Sequence, residues 1–266
     1  MPVPPELAIV IPVYNEQENV LPLAAEVAAA LAHQPRRWEL VFVDDGSTDA
    51  TWQRIEAAHQ QDPRVRGLRH PRNAGQSAAV WTGVRHTASP LIATLDGDRQ
   101  NDPAELPRLL ELLEGADFVC GRREQRQDSW LRRVSSRIAR WVRTRALGSE
   151  FQDTGCALRV FRRETLDGVP GFNGLHRFLP ILVAGAGFRT REVPVRHRPR
   201  TAGTSKYGVW NRLGRGLFDL VGVAWYQRRR LPTLAVTRTD DSTPVRQCAS
   251  GTVDQTEDRG LRMDST

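Results

Sequence analysis

Cysteine is scarce in this chain, and long apolar runs are missing. The 266 residues hold only Cys120, Cys156 and Cys248, without His or Cys at zinc-ligand intervals, which argues against a disulfide framework and a zinc site. The longest uncharged apolar run, residues 178–188, is much shorter than the roughly 20 residues that span a bilayer. The first residues, MPVPPE, lack the basic start of a secretory signal. We therefore expect a reducing, cytoplasmic location and no membrane-spanning segment.

The chain is strongly basic, and almost all of its positive charge is arginine. Of 38 Lys and Arg residues only Lys206 is a lysine, and the formal net charge is +7. Basic residues concentrate in residues 122–145 and 189–230. Phosphorylated substrates, nucleic acid and an anionic membrane face all fit such fields. No nucleic-acid-binding motif accompanies them, so we expect no nucleic-acid partner.

Short β-rich segments alternate with helical patterns in the first half of the chain. The predicted strands are residues 7–13, 40–43, 65–69, 91–95 and 118–121. Their nearly continuous apolar character predicts an α/β fold, with a mostly parallel, Rossmann-like sheet covered by helices on both faces. Ligands should gather at the carboxyl ends of such strands. Asp102, Pro103 and Glu105 predict a helix directly after the fourth strand.

Two later segments have the pattern of basic amphipathic helices. Apolar residues recur at helical spacing in residues 130–147 and 209–230, where Trp210, Leu213, Leu217, Val221 and Trp225 form the second stripe. Each helix either packs on the domain with a solvated arginine face or meets lipid headgroups. Residues 231–266 are polar and predict a disordered tail after a domain of residues 1–230.

The segment LIATLDGDRQ, residues 91–100, is the most informative part of the sequence. An apolar strand ends in Asp96 and Asp98, and carboxylates at this spacing can hold Mg²⁺ or Mn²⁺ on substrate phosphates. For this motif alone a solvated acidic turn is the alternative. The loops PVYNE (12–16) and DDGSTD (44–49) lie on the same sheet edge and offer a tyrosine and carboxylates to a base and ribose. Together the three loops predict a site for a nucleoside diphosphate.

Five motifs carry a resemblance to a known family over about residues 7–230. IVIPVYNE (9–16), VDDGSTD (43–49) and LDGDRQNDP (95–103) resemble family 2 glycosyltransferases, which implies the GT-A fold. DTGCALR (153–159) and GTSKY (203–207) are similar to the branch of dolichol-phosphate mannosyltransferases and bacterial polyprenyl-phosphate sugar transferases. In the region where processive polysaccharide synthases carry a Gln-x-x-Arg-Trp motif, this sequence has Gly-Thr-Ser-Lys instead. The resemblance therefore favours a non-processive enzyme.

The resemblance implies a role for individual residues. The donor nucleotide pocket would be lined by Pro12, Tyr14, Glu16, Val43, Asp44, Asp45, Asp96 and Gly97, with Arg200 and Lys206 closing over the donor phosphates. The metal positions would be Asp96, Asp98 and Gln100, the catalytic residues Asp98, Asp153 and Lys206, and the acceptor-phosphate ligands Arg123 and Arg132. Asp153 takes the position of a catalytic acid or base, which an alcohol acceptor needs more than a phosphate acceptor does.

The expected activity follows from these roles. We expect an inverting, Mg²⁺- or Mn²⁺-dependent enzyme that moves one sugar from GDP-mannose or a UDP-hexose to a polyprenyl (dolichyl or undecaprenyl) phosphate. It would associate peripherally with the cytoplasmic face of the membrane. Transfer to a hydroxyl of a glycolipid or polysaccharide is one alternative, and a non-catalytic nucleotide-sugar-binding protein is another, because the donor half of the site would look much the same in all three.

Overall fold

Seven strands form one sheet in the computed structural model of the chain, which describes residues 4–124, 144–145, 147–148, 150–199 and 209–230, the last from 209 to 217 as backbone only. The strands are β1 (Leu7–Val13), β2 (Trp38–Asp44), β3 (Val65–Arg69), β4 (Leu91–Thr94), β5 (Phe118–Arg123), β6 (Arg159–Arg162) and β7 (Thr190–Val195). Their order is β3-β2-β1-β4-β6-β5-β7, and β6 runs antiparallel to β4 and β5. The remaining pairs are parallel, which confirms the predicted mostly parallel sheet.

Six helices accompany the described part of the sheet. They are α1 (Val20–Ala30), α2 (Thr51–Gln61), α3 (Gln76–Arg85), α4 (Leu106–Leu112), α5 (Leu175–Gly185) and α6 (Val209–Arg229). A short 3-10 turn precedes α4, and Asp102 Oδ1 caps it by accepting from Ala104 N at 3.0 Å, as the sequence predicts. Within the described ranges, no helix combines the length and the apolar character needed to cross a membrane. The predicted segment 130–147 lies almost entirely outside the described residues, as does the predicted tail.

The core lies on both faces of the sheet. Leu7, Ile9 and Ile11 of β1 are fully buried with apolar residues of α1, α2 and α4. Ala8 and Val10, also fully buried, point the other way, toward the layer of α3, α5 and α6. Successive strand residues face opposite sides of a sheet, so a strand covered on both sides has no outlet for polar side chains along its length. β1 accordingly has no polar residue within Leu7–Val13, and polar side chains appear only beyond its ends.

The register of the sheet brings the ends of β1, β2 and β4 together. β1 lies between the other two, with Val13 opposite Asp44 of β2 and Val10 opposite Thr94 of β4. Because all three strands are parallel, their carboxyl ends share one edge. The three loops that the sequence singles out are therefore neighbours.

Gly46→Ala tests how tightly the loop after β2 packs. Gly46 has a φ of +72°, and an added Cβ would lie 2.5 Å from the backbone carbonyl carbon of Arg72. We expect the variant to lose about 2 kcal/mol of unfolding free energy, because the left-handed backbone and the backbone clash both oppose a side chain. Gly115→Ala is the matched control, since its Cβ would meet nothing within 4 Å. Urea unfolding measures both, and equal stability of the two variants would contradict this account.

Candidate active site

The loops after β1 and β2 are tied together by hydrogen bonds between backbone amides and side chains. Asn15 N donates to Ser47 Oγ at 2.9 Å, and Thr48 N donates back to Asn15 Oδ1 at 2.8 Å. Glu16 N donates to Thr51 Oγ1 at 2.9 Å, at the start of α2. Asn15 has a φ of 52°, a left-handed conformation that asparagine tolerates better than most residues. The two loops therefore form one fixed wall of the edge.

The residues predicted to line a nucleotide pocket divide into partly exposed and buried groups. Pro12, Tyr14 and Glu16 are partly exposed on the wall, whereas Val43 is fully buried. A side chain such as Tyr14 can contact a ligand there directly. A direct contact of Val43, whose side chain is buried, with a nucleotide stays a prediction.

Asp44 and Asp45 are buried and hold the protein's own loops. Asp44 Oδ1 accepts from Ser47 N at 2.9 Å. The Asp45 carboxylate accepts from the amides of residues 74–75 at 2.9 and 2.8 Å, and Asp45 Oδ1 lies 2.7 Å from His70 Nδ1. These bonds fix the loop between β3 and α3 against the same edge. Direct contact of Asp44 or Asp45 with a nucleotide stays a prediction.

Gly97 lets the loop after β4 pass close to the end of β1. A Cβ at this position would lie 2.6 Å from Val13 Cγ1 and 2.9 Å from Pro12 O. No L side chain fits such a gap without movement of the strand. The glycine between Asp96 and Asp98 therefore sets where the two carboxylates stand relative to the first loop.

Asp96 and Asp98 are both held in place by neighbouring groups. Asp96 N donates to Asn101 Oδ1 at 3.0 Å, and Gln76 Nε2 of α3 donates to Asp96 Oδ1 at 2.7 Å. Asp98 Oδ1 accepts from Gln100 N at 3.1 Å. One oxygen of each carboxylate thus takes part in a local hydrogen bond. The loop is fixed before any ligand binds.

The charge at Asp96 is unfavourable in the protein alone. Burial, together with the nearby charge of Asp98, raises the pKa of Asp96 to about 6. The guanidinium groups of Arg123 and Arg159 and the bond from Gln76 act in the opposite direction. A carboxylate with such a pKa gains from an added positive charge close by.

The chemistry of these residues fits a divalent cation. Asp96 and Asp98 supply hard carboxylate oxygens. Gln100 Nε2 lies 3.5 Å from Arg198 O, so the side-chain oxygen of Gln100 can be a further metal ligand. Over the described ranges, no group of three or more His, Cys, Asp or Glu is arranged to hold a metal. A cation held here therefore needs Gln100, water or ligand phosphate oxygens to complete its shell.

Arg123 and Asp153, predicted as acceptor ligand and catalytic residue, form an ion pair with each other. Arg123 Nε donates to Asp153 Oδ2 at 2.7 Å, and Arg123 Nη2 donates to Asp153 Oδ1 at 2.8 Å. Burial would lower the pKa of Arg123, but the bond to Asp153 raises it above its usual value. Asp153 N in turn donates to Glu192 Oε1 at 2.7 Å. Because Arg123 also acts on the pKa of Asp96, the ion pair and the carboxylate pair share one electrostatic site.

The chain that leaves β7 runs along the Asp98 loop. Arg198 N donates to Gln100 O at 2.9 Å, and the Arg198 side chain reaches Glu26 and Asp102, both at 2.7 Å. Arg200, Lys206 and Arg132 lie outside the described residues. Their predicted roles at the donor and acceptor phosphates stay predictions.

Sequence reasoning missed several residues of this site. Gln76, Asn101 and His70 position the carboxylates, and Arg159, only 4% exposed, lies near Asp96. Gln76 had a usable signal, because it starts the helix after a third parallel strand and so belongs to the same edge. Arg159 ends the DTGCALR segment, but its effect on Asp96 had no signal, because its strand was not predicted.

Divalent cation binding should weaken as Asp96 becomes protonated. With a folded-state pKa of about 6, Asp96 is an anion above that pH, so affinity for Mn²⁺ should be level there and fall by about tenfold for each pH unit below it. Thermal shift titrations with Mn²⁺ from pH 5 to 8 measure this. Asp98→Asn should lose most of the stabilisation at every pH, whereas Glu114→Gln, an exposed control, should behave as wild type. A pH-independent affinity would argue against Asp96 as a ligand.

Comparison with known proteins places this site in a family. The family model described as Glycosyl transferase family 2 matches residues 8–169. The chain is 39% identical over 229 residues to the dodecaprenyl-phosphate galacturonate synthase of Rhizobium johnstonii, covering 84% of this chain and 68% of that protein. It is also 39% identical over 217 residues to the undecaprenyl-phosphate 4-deoxy-4-formamido-L-arabinose transferase of Edwardsiella ictaluri, covering 81% and 66%. The chain thus spans about two thirds of the length of these relatives.

Solved structures share the fold at lower identity. Glucosyl-3-phosphoglycerate synthase from Mycobacterium tuberculosis, in complex with phosphoglyceric acid, aligns with a TM-score of 0.61 at 20% identity, covering 87% of this chain and 82% of that one. A mannosyltransferase from Pyrobaculum calidifontis, in complex with GDP-Man and Mn²⁺, aligns with a TM-score of 0.58 at 20% identity, covering 84% and 65%. The fold is therefore the predicted GT-A fold, and the chain belongs to glycosyl transferase family 2.

Proposed function

We propose that this glycosyltransferase transfers one sugar, with inversion, from a nucleoside diphosphate sugar to a polyprenyl phosphate at the cytoplasmic face of a membrane. The observation that carries the proposal is the pairing of two sites at one edge, a carboxylate pair suited to a cation and the Arg123–Asp153 ion pair beside it. The names of the two relatives, each a polyprenyl-phosphate sugar transferase, support the acceptor class. GDP-mannose and UDP-hexoses are the proposed donors.

The carboxylate pair serves the donor in this proposal. Asp96, Asp98 and Gln100 would hold Mg²⁺ or Mn²⁺, and the cation would stabilise the negative charge that develops on the leaving nucleoside diphosphate. Gln76 and Asn101 keep the Asp96 carboxylate and its amide in position. Tyr14 and Glu16, partly exposed on the adjacent wall, are the proposed contacts to the base and ribose.

The Arg123–Asp153 pair favours a phosphate acceptor over a hydroxyl acceptor. Both oxygens of Asp153 accept hydrogen bonds from Arg123, so neither is free of a partner where an alcohol would need a base. A phosphate monoester already carries about −1.5 to −2 charge at neutral pH, so it needs positioning more than deprotonation. Arg123 can supply that positioning, because a guanidinium binds phosphate as well as carboxylate oxygens in a bidentate manner.

The outer face of α6 is suited to a membrane surface. Phe218, Val221 and Trp225 are 81%, 64% and 65% exposed, a larger apolar display than single surface residues produce. Arg228 and Arg229 follow in the last turn of the helix. The opposite face is packed: Leu220 and Val223 are buried, and Tyr226 OH donates to Gly168 O at 2.7 Å. An apolar patch beside arginines matches the interface between acyl chains and anionic headgroups.

Transfer can be tested with purified protein, a panel of UDP- and GDP-sugars, Mn²⁺ and a short polyprenyl phosphate, with the lipid product detected by mass spectrometry. We expect a metal-dependent sugar-phosphoryl lipid. Asp98→Ala should reduce the rate by at least about a hundredfold, because it removes electrostatic stabilisation of the leaving group.

Arg123→Gln should raise the KM for the lipid more than it changes donor affinity, and Arg64→Gln, on an exposed ion pair, is its control. A product formed only with hydroxyl acceptors would refute the proposed acceptor.

Membrane contact can be tested by sedimentation with vesicles containing anionic lipid. Serine at Phe218, Val221 and Trp225 together should release most of the protein, because the apolar anchor is lost while the packed face of α6 stays intact. The matched control places serine at Gln53, Glu56 and Gln60, three exposed residues of α2. Unchanged sedimentation of the α6 variant, or equal release of both variants, would refute the proposed surface.

A further inference from the structure

α3 and α5 begin side by side at the carboxyl edge, next to Asp96. The first residue of α3 is Gln76, whose side chain donates to Asp96 Oδ1, and the next residue is Ser77. Ser77 reaches across to the first turn of α5, because its Oγ accepts from Gly174 N at 3.0 Å and from His176 N at 3.3 Å. The start of α5 is thus placed by the helix that positions Asp96.

The same serine fixes the tautomer of His176. Ser77 Oγ lies 2.6 Å from His176 Nδ1. The hydroxyl already accepts from two backbone amides, so its own hydrogen points to Nδ1, which must then be the unprotonated nitrogen. The ring proton therefore sits on Nε2. In the described part of the chain no group accepts from Nε2 within hydrogen-bond distance, and the side chain is partly exposed.

His176 stays neutral around physiological pH. Burial, together with the positive charges of Arg177 and Arg159, lowers its pKa to about 3. The group is therefore a neutral N–H donor of fixed direction. Arg159 also acts on the pKa of Asp96, so the charge of one buried guanidinium acts on both the histidine and the carboxylate. Arg159 Nε itself has no hydrogen-bond partner among the described residues.

We propose that His176 Nε2 donates a hydrogen bond to a hydroxyl oxygen of the donor's sugar, which makes His176 a sugar-binding residue of the site. The inference rests on the proposed function, since the sugar extends from the phosphates that Asp96 and Asp98 would hold through the cation. Anionic groups of the substrates have charged partners in Arg123 and the cation. A neutral donor with one open hydrogen matches a hydroxyl, and its fixed direction selects among sugars that differ in hydroxyl position.

The test compares donors with and without the sugar. Affinities of UDP-glucose against UDP, and of GDP-mannose against GDP, are measured by calorimetry with Mn²⁺ for wild type, His176→Phe and His176→Gln. We expect the phenylalanine variant to lose about tenfold in affinity for the sugar-bearing nucleotide alone, the size of one net hydrogen bond. Glutamine, whose amide can place an N–H near the Nε2 position, should recover part of the loss. His33→Phe, an exposed histidine, is the matched control.

Each outcome has one reading. Equal losses for the nucleotide with and without its sugar would show that His176 is only structural, and no loss would refute the contact. If wild type binds none of the four nucleotides, the proposed function fails, and the inference fails with it. Histidine ¹⁵N NMR adds a readout that folding alone does not move. The Nε2–H tautomer should persist from pH 5 to 8, and its signals should shift with the sugar nucleotide but not with the nucleoside diphosphate.

Discussion

The site depends on holding two like charges at the end of a buried strand. Asp96 directly follows Leu95, which is fully buried, and burial together with the charge of Asp98 raises the Asp96 pKa to about 6. Such a carboxylate repels its neighbour and gains from any cation that approaches. The hydrogen bonds around Asp96 oppose this repulsion, because a loop that carries unfavourable charge relaxes unless its backbone is fixed. Asn101, Gln76 and the close approach at Gly97 keep Asp96 and Asp98 where a ligand can use them.

The antiparallel strand β6 brings positive charge close to that site from inside the sheet. Arg159 lies between Thr94 of β4 and Cys120 of β5 and is only 4% exposed. Burial lowers its pKa, and the charges of Asp96 and Asp153 act against that shift. A guanidinium keeps its charge in such surroundings where an ammonium would lose it more easily. The strand that breaks the parallel pattern therefore also compensates the acidic loop, and it does so without occupying the open edge.

The parts of the fold that the sequence predicts are those with an unambiguous apolar pattern. β1 and β3 have the predicted bounds, and β2, β4 and β5 differ at their ends by at most two residues. β6 and β7 were missed, because charged residues interrupt their apolar pattern. In addition, β6 forms by pairing with β4 and β5, which are distant in sequence. Of the site, the sequence located the loops but not the direction of each side chain. Asp44 and Asp45 turn inward, and the bonds of Gln76 to Asp96 and of His70 to Asp45 depend on tertiary packing that the motifs do not specify.

The carboxyl edge of the sheet carries two kinds of polar side chain: charged ones at Asp96 and Arg123, and neutral hydrogen-bonding ones at Ser77 and His176. The two kinds suit different parts of a nucleotide sugar. Around Asp96 and Arg123 every strong interaction involves a formal charge, which attracts phosphates and cations with little regard to their attachments. Ser77 and His176 themselves are neutral and directional, although the charges of Arg177 and Arg159 act on the histidine. A hydroxyl offers no net charge to attract, so only the position of a donor can distinguish one sugar from another. Under the proposed function, sugar specificity would therefore depend on the paired starts of α3 and α5, and binding of the cation and phosphates would depend on the carboxylate pair.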